Sequence, residues 1–478
     1  MRRTKIVATI GPATDTPERV REMIAAGVDV VRLNFSHGTH EDHARYIDLV
    51  RREAREAGRP VALLQDLQGP KIRTGPLQGD QPVQLVDGQQ LTITTEPIEG
   101  NAQRISTNYP HLPQDVSPGD RILISDGLID TRVVETTRTD VVCVVIHGNE
   151  LRPRQGLSLP GVDVSWPSIM PKDLDDLAFG LAQGVDYVAI SFVRQAGDVL
   201  RIKEAIREAG SDVPVVAKLE KAEAIDALDA IIQVADGLMV ARGDMGVEIS
   251  PERVPVLQKD IIQAANSAGV PVITATQMLE SMIGAPQATR AEVSDVANAI
   301  LDGSDAVMLS GETAIGAFPV RAIRMMDRIA DAVEELAIVR HHEQHRYSFD
   351  EFSSVPQGIA AAVSALSRTL PLAAVCVVTR SGSTARLVST YRPDLPILAF
   401  TPLESTYQRL SLLWGVTPIK TEFAETEAEY YDMVESVLLR QGYAQTGDKV
   451  VITGGHPITQ QGPTNFVKVL TLRTQAHS

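Results

Sequence analysis

Eight short apolar segments recur along the first two thirds of the chain, and each ends in polar residues before a stretch with helical spacing. The segments are Lys5–Ile10, Val28–Ser36, Val61–Leu67, Asp186–Phe192, Pro214–Glu220, Gly237–Asp244, Pro271–Gln277 and Asp305–Gly311. Strands that are apolar throughout are typical of a parallel sheet covered on both faces. Eight such strands alternating with helices predict a closed (β/α)8 barrel, the TIM barrel of the α/β class.

Three of the intervening helices have readable beginnings. Thr39, with Asp42 three residues on, predicts an N-cap, and the Thr289–Glu292 stretch fits a capping box. Ser250 followed by Pro251 predicts an N-cap with proline at the first helical position.

The alternation is interrupted between the third and fourth segments. Residues 71–167 contain short β-branched runs and turn pairs such as Asp87-Gly88 and Pro118-Gly119, with little helical pattern. This composition predicts an all-β domain inserted in a barrel loop, where it is a candidate lid. The proline-containing stretch Gly156–Pro171 is the predicted return hinge.

We therefore predict three domains. The barrel comprises residues 1–70 and 168–338, and the inserted β-barrel lid domain comprises residues 71–167. A C-terminal α/β regulatory domain with a short parallel sheet is predicted for residues 339–478, beginning with the polar segment 340–352.

Composition narrows the class of ligand. The formal net charge of −16 argues against nucleic acid or an anionic membrane surface as a partner.

Cys143 and Cys376 lie far apart in apolar runs, so we expect two buried free thiols in a reducing compartment. The first apolar run is too short for a signal peptide, and no run is long enough to span a membrane. The expectation is a cytoplasmic protein.

Polar residues cluster at the carboxyl ends of nearly all the predicted strands, which is where barrel enzymes keep their active sites. They are Arg32, Asn34, Ser36, Asp66, Ser191, Lys218, Glu220, Arg242, Asp244, Thr276, Ser310 and Glu312. So many polar strand ends are hard to explain by stability alone, so we predict one active site built from several strands.

Two acids suggest a metal site. Glu220 and Asp244 end neighbouring strands, which lie about 4.8 Å apart in a sheet. Two carboxylates with open positions suit Mg²⁺ or Mn²⁺, and no His/Cys cluster favours zinc. The alternative to a metal site is that Glu220 and Asp244 belong to a structural ion-pair network.

The same site is rich in cations and hydroxyls. Lys218 shares a strand face with Glu220, and Arg32 and Arg73 follow other strands. Together with hydroxyls such as Thr276, these groups provide the positioning and charge neutralisation that phosphoryl transfer requires.

Seven longer motifs in this chain together resemble those of the pyruvate kinase family, and the resemblance covers the whole chain. The motifs are Thr9–Thr14, Arg32–His43, Asp66–Arg73, Lys218–Glu220, Met239–Ile249, Thr274–Met282 and Leu309–Gly316. The resemblance implies transfer of the phosphoryl group of phosphoenolpyruvate to ADP, giving ATP and an enolate that is protonated to pyruvate, the last step of glycolysis. It also implies a homotetramer.

The resemblance also implies residue roles. Lys218 would neutralise charge on the phosphoryl group, and Glu220 and Asp244 would hold Mg²⁺. Substrate would contact Arg32, Lys218, Gly243, Asp244 and Thr276. The enolate would be protonated through a water network that includes Thr276, Ser310 and Glu312, and the nucleotide would contact Pro12, His37 and Arg73.

A lysine in the Asp66–Arg73 motif departs from most of the family. Most members bind K⁺ near the positions of Asn34, Ser36 and Asp66, and carry glutamate at the position of Lys71. The Lys71 ammonium would supply one positive charge close to that ion's place. We therefore predict independence of K⁺, although the K⁺-binding residues are retained. The alternative is a lysine on the surface of the first lid strand.

The C-terminal domain contains a second candidate site. Residues Thr379, Arg380, Ser381, Gly382, Ser383 and Thr384 lie between an apolar strand and a helix. Backbone N–H groups and hydroxyls at a helix start suit phosphate, and the resemblance also points to an anionic allosteric activator here. An ordinary capped turn is the alternative.

Two other functions are considered. A metal-dependent lyase or mutase acting on pyruvate enolate would use the same barrel and carboxylates. A non-catalytic sensor would bind phosphorylated metabolites through the C-terminal domain. The intact set that includes Lys218 and Glu220 favours the kinase.

Overall fold

The barrel begins at the start of the chain. In the computed structural model, which describes residues 2–344, 354–424, 426–457 and 462–473, all eight predicted segments are strands. The first elements are β1 (Lys5–Thr9), α1 (Pro17–Ala25), β2 (Val30–Asn34), α2 (His40–Glu56) and β3 (Ala62–Asp66). The predicted capping box of α2 is confirmed, because the Thr39 hydroxyl accepts from the Asp42 N–H and the Asp42 carboxylate accepts from the Thr39 N–H.

An all-β insertion follows β3. It forms a six-stranded sheet of order β11-β7-β8-β9-β5-β6 and a small pair, β10-β4. Its elements are β4 (Val83–Gln84), β5 (Gln90–Thr94), β6 (Arg104–Ser106), α3 (Leu112–Asp115), β7 (Arg121–Ile124), β8 (Ile129–Thr136), β9 (Asp140–His147), β10 (Glu150–Leu151) and β11 (Leu157–Ser158), with a 3-10 turn at Gln78–Asp80. A separate hydrophobic core, which includes Tyr109 and Cys143, lies inside this unit.

The chain then completes the barrel. Its elements are α4 (Pro171–Ala182), β12 (Tyr187–Ile190), α5 (Ala196–Glu208), β13 (Val215–Leu219), α6 (Ala222–Asp226), α7 (Leu228–Ile232), β14 (Gly237–Ala241), α8 (Arg242–Glu248), α9 (Val254–Ala268), β15 (Val272–Ala275), α10 (Arg290–Leu301), β16 (Ala306–Leu309), α11 (Gly311–Ala314) and α12 (Pro319–Gln344), with 3-10 turns at Pro251–Arg253 and Glu280–Ile283. The strands close in the order β1-β16-β15-β14-β13-β12-β3-β2, and every pair is parallel.

Two helix starts differ in outcome. The capping box between Thr289 and Glu292 is confirmed at the start of α10. Ser250 takes the predicted N-cap position with Pro251 first in the helix, but the helix is a 3-10 turn before α9 and the Ser250 side chain makes no capping hydrogen bond. Proline satisfies the geometry of either helix type, so the sequence alone does not distinguish them.

The C-terminal unit is a five-stranded sheet with helices on both faces. Its elements are α13 (Val355–Thr369), β17 (Leu372–Val378), α14 (Ser383–Thr390), β18 (Ile397–Thr401), α15 (Glu404–Arg409), β19 (Val416–Lys420), α16 (Glu427–Arg440), β20 (Lys449–Gly455) and β21 (Thr464–Thr471), with a 3-10 turn at Leu410–Leu412. The strand order is β19-β18-β17-β20-β21, and β21 is antiparallel to β20. The predicted wholly parallel sheet is therefore wrong at this edge. The fold class is confirmed.

The barrel and the C-terminal unit share a hydrophobic contact. Leu412, 1 % exposed, belongs to the cluster that fills the barrel interior together with residues such as Val7, Leu64 and Met308. The Lys5 ammonium, near the start of β1, donates to the carbonyl of Val416 at 2.7 Å. The C-terminal unit therefore covers the end of the barrel opposite to the predicted active site.

Other sequence predictions have different outcomes. Cys143 and Cys376 are buried and free, as predicted. Among the described helices, none is both long and apolar enough to cross a membrane. Helix α12 runs past position 338 to Gln344, and residues 345–352 of the predicted polar segment lie outside the described residues.

Candidate active site

Lys218 lies in a cluster of charges at the carboxyl ends of β3 and β13. Its ammonium nitrogen is 3.2 Å from Asp66 Oδ1 and 3.0 Å from Glu220 Oε1, and it donates to Ser191 Oγ at 2.7 Å. Burial disfavours the ammonium form, but the carboxylates of Asp66 and Glu220 outweigh it and raise the pKa of Lys218. Lys218 is therefore held as a fixed positive charge.

Asp66 also orients an arginine. Arg32 Nε donates to Asp66 Oδ2 at 2.7 Å, and Arg32 Nη1 donates to Thr9 Oγ1 at 3.1 Å. Burial raises the pKa of Asp66, but the positive charges of Lys218 and Arg32 outweigh it, so the pKa is lowered overall. Because Asp66 contacts both cations, it holds them side by side at the mouth of the barrel.

Glu220 directly follows β13, whereas Asp244 lies in the first turn of α8 and not at the end of β14 as predicted; the two carboxylates are still close enough for their charges to interact. Burial raises the pKa of Glu220, and the charge of Asp244 adds to this effect. The described residues contain no group of three or more His, Cys, Asp or Glu side chains arranged to hold a metal. Two carboxylate groups are the chemistry that suits a hard cation such as Mg²⁺, which takes few protein ligands and keeps positions for water and substrate.

Thr276 and Gly243 come from the neighbouring strand ends β15 and β14. The Gly243 N–H donates to Thr276 Oγ1 at 2.7 Å, and Thr276 has φ of 67°. A β-branched residue with positive φ is strained, and such strain concentrates at functional sites. Arg242 helps to hold this backbone, because its guanidinium donates to the Thr276 carbonyl at 2.7 Å and pairs with Asp295 at 2.7 Å.

Ser310 and Glu312 follow β16. The buried Glu312 carboxylate accepts from the Ser310 N–H at 2.7 Å and from the Leu279 N–H at 3.1 Å. Glu312 therefore braces the loops after β15 and β16, and it thereby positions the backbone near Thr276. Its predicted part in a water network stays a prediction.

Cations gather near His37. Partial desolvation and the positive charges of Lys71, Arg73 and Arg32 lower the pKa of His37. Arg73 lies just inside the insertion rather than at a barrel strand end, and its guanidinium donates to the Arg154 carbonyl at 3.1 Å. Pro12 is exposed in the loop after β1. The basic groups near His37 suit a polyanionic ligand.

The residues predicted to hold a monovalent cation lie at the ends of adjacent strands, since Asn34 pairs with Asp66 in register. Their oxygens contact protein donors. Asn34 Oδ1 accepts from the Ser36 N–H at 3.2 Å, and the Leu67 carbonyl accepts from Ser191 Oγ at 2.8 Å. The negative charge at this position is that of the Asp66 carboxylate. It contacts Lys218 and Arg32, and these two cations already neutralise much of that charge.

The predicted effector residues form one side of a pocket at the start of α14. The Gly382 N–H donates to Thr379 Oγ1 at 2.9 Å, and Ser381 Oγ donates to Ser383 Oγ at 3.0 Å. Arg380 lies over the Phe423 ring at 5.0 Å, and Thr384 Oγ1 is 2.8 Å from Thr464 Oγ1. The rest of the lining includes Glu422, Phe423, Gly455 and Gly462.

Sequence reasoning missed several residues of the cleft between the barrel and the insertion. Phe192, Arg194 and the buried Lys221–Glu248 ion pair, with an N–O distance of 2.7 Å, line this cleft beside Asp244. Phe192 has φ of 57°, and its N–H donates to Glu220 Oε2 at 2.8 Å. The one available signal was their position at the end of, or shortly after, the fourth, fifth and sixth apolar segments.

Comparison with known proteins agrees with this arrangement. The family model described as the pyruvate kinase barrel domain matches residues 1–323, and that of the pyruvate kinase alpha/beta domain matches residues 357–470. Pyruvate kinase 2 of Synechocystis is 47% identical over 98% of this chain and 79% of its own length. Pyruvate kinase of Staphylococcus aureus strain MRSA252 is 44% identical over 98% of this chain and 80% of its own.

A solved structure agrees as well. The crystal structure of a pyruvate kinase from Cryptosporidium parvum aligns with a TM-score of 0.92 at 37% identity, covering 98% of this chain and 96% of that one. The barrel, its charged strand ends and these likenesses define a phosphotransferase built on a TIM barrel. More particularly, the chain belongs to the pyruvate kinase family.

Proposed function

We propose that this protein transfers the phosphoryl group of phosphoenolpyruvate to ADP, with Lys218 as the central cation of the reaction. The family implies these two substrates. The observation that carries the proposal is the buried contact of the Lys218 ammonium with Asp66 and Glu220, 3.2 and 3.0 Å away. A fixed cation at the mouth of a barrel stabilises charge that develops on a transferring phosphoryl group.

The other residues bind and orient the substrates. Arg32, held by Asp66, contacts the phosphoryl oxygens. The backbone at Gly243 and the Thr276 hydroxyl receive the substrate carboxylate. Ser310 and Glu312 belong to the water network that transfers a proton to the enolate. Pro12, His37 and Arg73 contact the nucleotide.

Glu220 and Asp244 would hold Mg²⁺, or Mn²⁺ in its place. The bound ion supplies Lewis-acid stabilisation of the substrate oxygens. Within the protein, Glu220 is held in position by the Phe192 N–H at 2.8 Å and by Lys218. The inserted domain closes over these groups and excludes water, which limits hydrolysis of the phosphoryl donor.

We further propose that Lys71 replaces K⁺. Partial burial lowers the pKa of His37, and the charges of Lys71, Arg73 and Arg32 lower it further, which places the Lys71 charge near the residue that follows the proposed K⁺ ligand Ser36. A cation bound close to Lys71 would be repelled by roughly 1–4 kcal/mol at 4 Å. With the Lys71 charge nearby, the retained residues Asn34, Ser36 and Asp66 do not require a bound K⁺ to balance their negative charge.

The assay that tests both proposals is pyruvate formation from phosphoenolpyruvate and ADP with Mg²⁺, in buffer free of K⁺ and NH₄⁺. We expect full activity that added K⁺ does not increase. Lys71→Glu should lower K⁺-free activity by about 10-fold or more, because it removes one positive charge and adds a negative one. Added K⁺ should then restore activity.

A matched control is Lys259→Glu, which makes the same charge change at an exposed lysine that pairs with Asp302 on the outside of the barrel. It should remain independent of K⁺. Activity of the unaltered enzyme only with K⁺ would contradict the role of Lys71 and keep the kinase proposal. No pyruvate under either condition would contradict the kinase proposal itself.

We also propose that an anionic metabolite binds at Thr379–Thr384 and activates the enzyme. Hydroxyls and N–H groups converge there with the Arg380 guanidinium, which suits a phosphate group. Glucose 6-phosphate and AMP are suitable probes of the sugar-phosphate and nucleotide classes. One of them should lower the half-saturating phosphoenolpyruvate concentration about fivefold or more, a typical allosteric coupling.

Ser383→Asp should abolish this activation, since the added carboxylate repels phosphate. Ser405→Asp, on exposed surface of the same unit, is the control and should retain it. Equal activation of both variants would contradict the proposed site.

The resemblance further supports a homotetramer in the cytoplasm without a nucleic-acid or membrane partner, and mass measurement in solution tests the assembly.

A further inference from the structure

Arg194 connects the barrel to the chain segment that returns from the inserted domain. Its guanidinium donates to the Val164 carbonyl at 2.7 Å through Nη1, to the Trp166 carbonyl at 3.1 Å through Nη2 and to Ser168 Oγ at 3.3 Å through Nε. The exposed Asp163 carboxylate is farther away, at 3.7 Å. Three nitrogens of the planar Arg194 guanidinium thus contact three alternate residues of the returning chain.

The backbone of Arg194 belongs to the barrel. It lies two residues before α5, and the Asp198 carboxylate in the first turn of that helix accepts from the Arg194 N–H at 2.9 Å and the Gln195 N–H at 3.1 Å. The side chain is 24% exposed, so its hydrogen bonds are partly shielded from water. The guanidinium is therefore presented from a fixed base.

The returning segment is attached equally firmly to the inserted domain. Trp166 packs edge-on against Tyr109 with ring centroids 4.7 Å apart, and Tyr109 is fully buried in that domain's core. The Ser165 N–H donates to Asp115 Oδ2 at 2.9 Å. Residues 164–168 are thus bound on one side by the inserted domain and on the other by Arg194.

Phe192, two residues before Arg194, extends this contact to Glu220 in the active site. The Phe192 N–H donates to Glu220 Oε2, and a Cβ atom added at Gly69 would lie 2.9 Å from Phe192 Cδ2. Gly69 lies where the chain leaves the barrel for the insertion. The stretch Phe192–Arg194 therefore contacts the outgoing chain, the returning chain and one proposed metal ligand.

We propose that Arg194 is a positioning residue that fixes residues 164–168 relative to Glu220 and so holds the inserted domain over the active site. A guanidinium is suited to this task because its planar fork places several donors in one geometry, which an ammonium does not. The effect on turnover rests on the proposed kinase function, whereas the effect on the returning segment does not.

The test compares Arg194→Ala and Arg194→Lys with the unaltered full-length chain. Amide hydrogen exchange of residues 156–168 should become faster in Arg194→Ala, while exchange in the barrel strands stays unchanged. The turnover number kcat should fall about 10- to 100-fold, because misplacing a closing element by about 1 Å has costs of that size. The KM for phosphoenolpyruvate should change much less, since the guanidinium nitrogens of Arg194 donate to residues 164–168.

Arg194→Lys keeps the charge but loses the fork, so it should restore only a minor part of both the exchange protection and kcat. Ser168→Ala removes a single acceptor and should give a smaller change in the same direction, which covers the case that Arg194→Ala does not fold. The matched control is Arg121→Ala, which breaks an ion pair with Asp130 (2.9 Å) confined to the inserted domain. It should leave exchange at residues 156–168 unchanged.

Unchanged exchange at residues 156–168 in Arg194→Ala, or full recovery by lysine, would overturn the proposal. Faster exchange limited to that segment, with a fall in kcat that lysine does not rescue, would support it. If the unaltered chain forms no pyruvate, the kinase function fails, and the exchange measurement still decides whether Arg194 holds the segment.

Discussion

Replacement of Lys218 by methionine is expected to lower kcat by about 10²- to 10³-fold, the usual effect of removing one preorganised charge from a transition state. Methionine keeps most of the aliphatic volume and removes the ammonium that lies 3.0 Å from Glu220 and 3.2 Å from Asp66. Asp66 keeps its ion pair with Arg32, at 2.7 Å, so it is not left as an isolated buried charge.

The measurement is steady-state pyruvate formation, with circular dichroism to check the fold. Lys203→Met is the matched control, because Lys203 forms an ion pair with Asp236 at 2.8 Å on the half-exposed side of α5, away from the active site. It should retain nearly full activity. A Lys218→Met enzyme with kcat close to that of the unaltered protein would show that the buried ammonium does not act on the reacting group.

Replacement of Glu220 by glutamine should raise the Mg²⁺ concentration needed for half-maximal activity by at least about 10- to 100-fold. Loss of a residue that only supports a metal ligand already has an effect of this size, and Glu220 is proposed as a ligand itself. Glutamine has the same shape and still accepts from the Phe192 N–H, but it is neutral and a poorer ligand for a hard cation. It also weakens the contact with Lys218.

Direct Mn²⁺ binding, followed by calorimetry or electron paramagnetic resonance, separates loss of metal affinity from loss of turnover. The control is Glu208→Gln at the exposed end of α5, which makes the same chemical change. Should Glu220→Gln bind Mn²⁺ as tightly as the unaltered chain, the metal site proposed for Glu220 and Asp244 would be wrong.

The barrel was predictable because its signals are local. Each strand is a short apolar run, and the helix starts at Thr39 and Thr289 carry complete capping boxes. The strands β19 and β21 were not predicted, and β21 is antiparallel to β20. Direction of pairing depends on how the chain returns to a sheet edge, which no local pattern reports.

The active site was predictable in part for the same reason. Polar residues that end parallel strands must meet at one end of a barrel, and Lys218 and Glu220 share a strand face by simple alternation. The strand order puts β3 next to β2 and one strand away from β13, but that Asp66 contacts both Lys218 and Arg32 is decided only by the tertiary structure.

Arg194 and Leu412 show the limit of sequence reasoning. Arg194 looks like a surface residue before a helix, and Leu412 like part of the C-terminal hydrophobic core. The tertiary structure places the first against the segment that returns from the inserted domain and the second in the barrel interior.

The sequence by itself determined the eight strands, their polar ends, the inserted all-β segment and the family. The tertiary structure alone decided which charges pair, which backbone is strained and which residues join one domain to another. The physical reason is that strand formation and side-chain alternation depend on near neighbours in the chain, whereas ion pairs and domain contacts join residues that only folding brings together.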